Sequence, residues 1–461
     1  MPSLADIAET SRYLGRLLAA RPALAAEIDS ALNQAVTAAE LSAWLSAQPV
    51  TEANLKPVLR QLKQRAYARI AVRDLAGLAP LAEVTECMTL IAELAVNKAL
   101  EVLGRGLVER YGTPRGADGR AQELIVLGMG KLGGRELNVS SDIDLIFVFP
   151  EDGDTDAVNA SSRSISNFEF FTRLGRGLIS AIAEVTEDGQ VFRVDMRLRP
   201  NGDSGPLVCS FDMLENYFIT QGREWERYAW IKARPLTGSR HDELEKVRQP
   251  FVFRKYFDFG AINAMRGLHA QIRREVAKKD MADNVKLGPG GIREIEFIAQ
   301  VFQLIRGGRD TPLQIKPTQQ VLKLLAERSI LHADAAAELA SAYNFLRRLE
   351  HRLQYLDDAQ THSLPLAEDD RRRVATAMGF GSFDALLAEL DDHRATVSRH
   401  FEQVFADPNH GEHALAGLWQ DAGGEAQDEK FERLGYRNPP AAAQRIAALR
   451  AGPHYQQMSQ D

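Results

Sequence analysis

Two aspartates one residue apart, Asp142 and Asp144, open an apolar run that continues to Phe149. In an extended strand, side chains two positions apart share a face, so the two carboxylates stand side by side. Like charges held that close repel, and a hard divalent cation with oxygen ligands, Mg2+ or Mn2+, relieves such a pair. Just upstream, Gly128, Gly130, Gly133 and Gly134 surround Lys131 and predict a tight loop. Glycine lets backbone N–H groups come close to an anion, and Lys131 adds positive charge beside them. An anion cradle next to a hard-metal site suits nucleotidyl transfer. A Walker-type phosphate loop is excluded, because Lys131 precedes Leu132 rather than Ser or Thr and no G-x-x-x-x-G-K occurs.

A sheet must carry these residues. The apolar run Leu124 to Leu127 predicts a buried strand that ends in the glycine loop, and Asp142 to Pro150 predicts a second. A third is predicted from Val191 to Leu198, where Phe192, Val194, Met196 and Leu198 alternate onto one face. Arg193, Asp195, Arg197 and Arg199 fall on the other. One acid among three arginines reads two ways: a salt-bridge ladder, or a third metal carboxylate with arginines holding phosphate oxygens. The segment Pro200 to Gly205 then turns the chain out of the sheet.

Around the sheet the pattern is helical. Residues 1 to about 112 place Leu4, Ile7, Leu14, Leu17 and Leu18 close to helical spacing, as do Leu55, Val58, Leu59 and Leu62. Gly112 to Arg120 and the acidic stretch Glu151 to Ser164 read as loops. A helix from Ile165 to Ala183 would bury Phe168, Phe171, Leu174, Leu178 and Ile182. Helices follow over Phe211 to Phe218 and Trp225 to Arg234, then the aromatic-rich segment Phe251 to Phe259. A Pro/Gly turn from Leu287 opens a helix that buries Ile292, Ile295, Ile298, Val301 and Phe302, leaving Arg293, Glu294 and Glu296 off the stripe. Leu346, Leu349, Leu353 and Leu356 make another stripe, beside which His351 reads as a hydrogen-bonded structural residue. Helical spacing resumes from Leu386 to Phe405. Asp407 to Gln427 reads as a linker, and Pro439 to Asp461 starts a new helical pattern.

At 461 residues the chain is long enough for two or three domains with full cores. Its 45% hydrophobic and 26% charged content is that of a globular protein. A net charge of -7 excludes a general nucleic-acid binder, which needs a basic face. Cys87 and Cys209 are the two cysteines, too few for a disulfide framework or a zinc site, and they fit a reducing cytoplasm. No signal-like start and no apolar run of about 18 residues points to a membrane. The expectation is a cytoplasmic protein with neither nucleic acid nor membrane as partner.

Three long motifs, GMGKLGGRELNVSSDIDLIF, VDMRLRPNGDSGPLV and QGREWERYAWIKARPLTG, resemble the bifunctional glutamine synthetase adenylyltransferase/adenylyl-removing family. The resemblance covers most of the chain, in the family's order. It implies an α/β fold, mostly α by residue count. A DNA polymerase β-like nucleotidyltransferase sheet (residues 113–285) would follow a helical segment (1–112) and precede a helical bundle (286–406), with 407–461 as linker and the start of a further region. In this fold a third acid sits on a neighbouring strand, which favours Asp195 as a metal ligand with Asp142 and Asp144. The motif match also implicates Gly130, Lys131, Gly133, Gly134, Ser141, Arg193, Arg197 and Arg199 in phosphate or nucleotide binding, and makes Arg293 and Glu296 walls of the cleft. Many wider relatives have Gly-Ser where this chain has Gly130-Lys131.

The family has two related halves, and the resemblance implies the amino-terminal, adenylyl-removing one. NVSSDIDLIF is similar to that half, whereas the transferring half carries a Gly-Tyr-Ser-Ser-Asp form. The removing half comes first, and this chain opens on Met1 and helices. The implied reaction is metal-assisted attack of inorganic phosphate on tyrosyl-AMP of adenylylated glutamine synthetase, giving ADP and the free tyrosine. A PII-type signal protein is the further partner implied. Two alternatives remain: an adenylyltransferase that uses ATP, and a non-catalytic regulatory or docking fragment.

Overall fold

The computed structural model describes residues 4–156, 163–254 and 283–405, with isolated positions at 267 and between 438 and 445. The expected linker, the pattern after Pro439, most of the aromatic-rich segment and the middle of the Glu151–Ser164 loop lie outside the described residues. Residues 1–401 form one compact unit and 402–461 a second.

Six helices precede the sheet, as the periodicity requires: α1 (Leu4–Glu9), α2 (Arg12–Ala20), α3 (Pro22–Ala31), α4 (Ala38–Ser46), α5 (Leu55–Leu75) and α6 (Leu81–Tyr111). Ser11 and Thr37 accept the first free N–H groups of α2 and α4 through their side chains. The sheet elements come next: β1 (Ile125–Gly128), a single helical turn α7 (Gly130–Gly133), β2 (Asp142–Phe149), α8 (Asn167–Ala183), β3 (Arg193–Asp195) and β4 (Val208–Ser210). After them run α9 (Phe211–Thr220), α10 (Glu224–Trp230), β5 (Arg234–Pro235) and α11 (His241–Val252). Among the described residues five further helices follow: α12 (Ile292–Arg306), α13 (Thr318–Glu327), α14 (Ala333–Tyr355), α15 (Glu368–Met378) and α16 (Phe383–Phe405).

The sheet runs β3-β2-β1-β5, with β4 pairing β2 further along. Both β1–β2 and β1–β5 are antiparallel, whereas β3 and β4 lie parallel to β2. From Ile143 to Phe149 every residue of β2 except Asp144 is buried, as expected for a central strand covered on both faces. Helix α8 packs on the β3 and β4 side, and α5 and α6 pack behind it. Arg60 of α5, fully buried, locks this layer by donating to the carbonyls of Ala181 and Gly189, both at 2.9 Å.

Four expectations need correction. The third strand covers only Arg193–Asp195, because the Asp195 carboxylate accepts the Arg197 N–H at 2.8 Å and bends the chain away. Arg197 and Arg199 therefore leave the strand face. The helix expected to Arg234 stops at Trp230, since Pro235 disfavours helical geometry at Arg234, which instead pairs with Gly128. Phe168 is exposed and Phe170 takes its place in the core: at about 100° per residue, Phe168 falls off the edge of a stripe centred on Phe171, Leu174 and Leu178. Phe302 is half-buried, while the polar Gln303 next to it is buried and hydrogen-bonded.

Candidate active site

The parallel register sets Asp144 directly beside Asp195 and Asp142 beside Arg193. Three carboxylates thus gather at one end of β2, as the D-x-D pattern and its neighbouring strand imply. Burial pushes the Asp144 carboxyl up to about 7, and the nearby charges of Asp142 and Asp195 add to the effect. Among the described residues no donor pairs with it. The other two acids do have partners: Asp142 Oδ1 accepts from Gln360 Nε2 at 2.9 Å, and Asp195 is held by Arg197, whose Nε lies 2.8 Å from Oδ2. Among the described residues no three His, Cys, Asp or Glu side chains converge as a ready metal cage. Asp144 nonetheless fits a hard cation, being an oxygen donor whose charge Lys286 and Lys131 offset only in part.

The glycines form a helical turn rather than an open loop. Gly130 has φ +51, a conformation that favours glycine, and a Cβ there would stand 3.1 Å from Asp144 Oδ2. A Cβ on Gly133 would stand 1.8 Å from the Lys232 carbonyl, so only glycine lets β5 close on this turn. Gly133 and Gly134 use their N–H groups to close the turn on the carbonyls of Met129 and Gly130. Gly130, Lys131 and Leu132 are the members of this motif that line the pocket.

That pocket, of about 460 Å³, contains Gly130, Lys131, Ser141, Asp142, Asp144, Arg293 and Glu296 in its lining. Gly133, Gly134, Asp195, Arg193, Arg197 and Arg199 stand outside it. Arg193 reaches the Ser140 carbonyl of the loop before β2 at 3.4 Å, and Arg199 binds the Met196 carbonyl of its own turn at 2.8 Å. Lys131 Nζ lies 3.5 Å from Glu296 Oε1, well shielded from water. Burial lowers the pKa of Lys131, with Glu296 opposing. Burial alone would raise Glu296, but Lys131, Lys232 and Arg347 override it and hold the carboxyl at about 2.

The loop between α7 and β2 is pinned by α14. Arg347 donates to Glu136 O at 2.7 Å and Asn138 Oδ1 at 2.6 Å, and Gln354 Oε1 accepts the Ser140 N–H at 3.0 Å. His351 is fully buried with Nε2 3.3 Å from Asn138, in keeping with its structural reading. Glu136 binds Lys232 Nζ at 2.7 Å and the Thr318 N–H at 2.6 Å. These bonds fix the loop that delivers Ser141 and Asp142.

Residues 1–249 match the family described as glutamate-ammonia ligase adenylyltransferase, which is more than half of the chain. It belongs to that family. Residues 266–405 match the family described as GlnD PII-uridylyltransferase. A bifunctional glutamine synthetase adenylyltransferase/adenylyl-removing enzyme of Aromatoleum aromaticum is 60% identical over 435 residues, covering 94% of this chain and 46% of that protein. Proteins of the same description from Chromobacterium violaceum and Ralstonia nicotianae are 52% and 50% identical, over 99% and 98% of this chain and 51% and 50% of their own lengths. The chain spans about half the length of the curated relatives it matches.

Sequence reasoning missed the part of the pocket supplied from a distance. Lys286, half-buried, lines it with no side-chain partner among the described residues. Trp225, Tyr228, Phe297 and Gln300 line it too, and Gln360 reaches Asp142 from a loop 218 positions away. A Lys beside a Pro/Gly turn and a Gln after a helix carry no pattern of their own. No helix among the described residues is long and apolar enough to cross a membrane.

Proposed function

We propose that this chain removes AMP from a tyrosyl-AMP side chain of glutamine synthetase by phosphorolysis, yielding ADP and the free tyrosine. The observation that carries the reading is one pocket in which an unpaired acid, Asp144, faces the cations Lys131, Lys286 and Arg293. A phosphate nucleophile and an AMP phosphodiester are both anions, and bringing them together needs this mixture of charges. Membership of the family and the names of its full-length relatives support glutamine synthetase as the protein substrate. The form of the NVSSDIDLIF motif supports removal over transfer.

Asp142 and Asp144 would hold Mg2+ or Mn2+, with Asp195 joining once it turns from Arg197. The ion supplies charge neutralisation at the phosphoryl oxygens and at the leaving phenolate. Lys131, held in place by Glu296, binds an oxygen of the incoming phosphate. Lys286 and Arg293, which line the same pocket, hold its other oxygens. Ser141, whose hydroxyl lies 3.4 Å from Asp142 Oδ1, lines the pocket where the nucleotide phosphate would lie. A PII-type protein is the regulatory partner we propose, consistent with the match of residues 266–405 to a PII-uridylyltransferase family.

The test is to incubate adenylylated glutamine synthetase with this chain, Mg2+ and inorganic phosphate. Phosphate-dependent ADP is expected. Free AMP, or labelling of unmodified glutamine synthetase from ATP, would refute removal by phosphorolysis.

A further inference from the structure

The pocket extends beyond the charged groups to an apolar wall that the phosphate chemistry does not use. Tyr228 of α10 and Phe297 of α12 pack with ring centroids 5.4 Å apart and planes tilted by 37°. Trp225, one turn before Tyr228, is 41% exposed and lines the same cavity. Gln300, only 6% exposed, lies one turn beyond Phe297. Its Nε2 donates to the Tyr228 carbonyl at 3.3 Å. That bond fixes which way the amide faces, and it leaves Oε1 with no partner among the described residues. A single acceptor beside aromatic faces is therefore presented to whatever fills this end.

We propose that Trp225 and Tyr228, backed by the buried Phe297, seat the adenine ring of the nucleotide, and that Gln300 Oε1 accepts a hydrogen bond from its exocyclic amine. The inference rests on the phosphorolysis reading for the orientation of the nucleotide, with its phosphates at Asp144 and Lys131 and its base against Trp225 and Tyr228. A purine has the flat face that an indole stacks on and a polar edge for a buried amide. The target tyrosine ring would fill the wall but leave Gln300 Oε1 unpaired. Guanine carries an acceptor where adenine carries the amine, so it sets two acceptors against each other.

Direct binding to the full chain tests this without turnover, using ADP, GDP and pyrophosphate in calorimetric titrations with Mg2+. ADP should bind about tenfold or more tightly than GDP, since one unmatched polar contact is being compared. In Gln300→Leu that ratio should fall to near one while pyrophosphate affinity holds. Trp225→Ala, at an exposed position that tolerates truncation, should weaken ADP and GDP alike by about tenfold, again sparing pyrophosphate. ADP binding no better than pyrophosphate, or a Gln300→Leu protein that keeps its preference, would overturn the assignment. So would a Trp225→Ala protein with unchanged ADP affinity and a raised KM for adenylylated glutamine synthetase, which would give the wall to the substrate tyrosine. The two readings fail separately: base discrimination without ADP formation ends the proposed reaction, and ADP formation without discrimination ends the base subsite.

Discussion

Replacing Asp144 by Asn should stabilise the metal-free protein while abolishing its response to Mg2+. The carboxyl is pushed from its ordinary 3.8 to about 7, by burial first and then by Asp142 and Asp195. Between those values the unfolded chain has released its proton and the folded protein still holds it. Stability therefore falls as pH rises through this window, and the full penalty applies above about 7. Roughly three pH units at 1.36 kcal/mol each set a ceiling of about 4 kcal/mol. The pocket opens to water, which screens the repulsion and brings the expected value to about 2 kcal/mol. With an unfolding entropy of about 2.1 cal/mol/K per residue over roughly 400 residues, the gain is a rise in Tm of about 2–3 °C. Thermal melts at pH 8 in a chelator should show it, and at pH 5.5 it should shrink to about half. Mg2+ should raise the Tm of the wild type and leave Asp144→Asn unmoved, and turnover should be lost. A variant destabilised at pH 8, or one that keeps the Mg2+ shift, would refute the reasoning.

Other substitutions separate the remaining roles. Glu296→Gln leaves Lys131 buried without its counter-charge and should cost about 2–3 kcal/mol in urea melts at pH 7. Because the Glu296 carboxyl is depressed from 4.5 to about 2, that difference should narrow as pH falls through this interval. Gly133→Ala drives a Cβ into the Lys232 carbonyl and should cost about 3 kcal/mol by the same melts, with little change expected if β5 can shift freely. Asp195→Ala should weaken Mn2+ binding in calorimetry more than Arg197→Ala does; equal effects would return Asp195 to a salt-bridge role.

The features legible in the sequence were those with short-range periodicity. β1, β2, the D-x-D pair and the helical stripes are local patterns, and tertiary packing reinforced them. Failures came where a side chain overrode the period. Asp195 captures the Arg197 N–H and ends β3 at Asp195, although alternation continues to Leu198. Pro235 ends α10 early although the charge and aromatic pattern runs on. Helix α14 is the largest surprise. Its leucine stripe is buried as expected, yet Arg347, Glu350, His351, Arg352 and Gln354 on the other faces are buried too. Periodicity marks polar residues as solvent-facing; here Arg352 meets Asp74 at 2.7 Å and Arg347 meets Asn138, so burial is compensated by partners far away in the chain.

Those distant partners bear on how the site is assembled. Asp142, Asp144 and Lys131 come from the segment that matches the adenylyltransferase family, residues 1–249, whereas Lys286, Arg293, Glu296 and Gln300 come from the segment matched at 266–405. The pocket is a seam between the two. Several crossing contacts pair a charge with a counter-charge or a donor with an acceptor: Glu296 with Lys131, Gln360 with Asp142, Arg347 with Asn138, Thr318 with Glu136. Removing the second segment would leave Lys131 and Asp142 without these partners, and Asp144 without the nearby charge of Lys286 that partly offsets its repulsion. Asp142 and Lys131 therefore have structural partners in the segment after residue 283, and a change acting on that segment has a direct route to Asp142 through Gln360 and to Lys131 through Glu296.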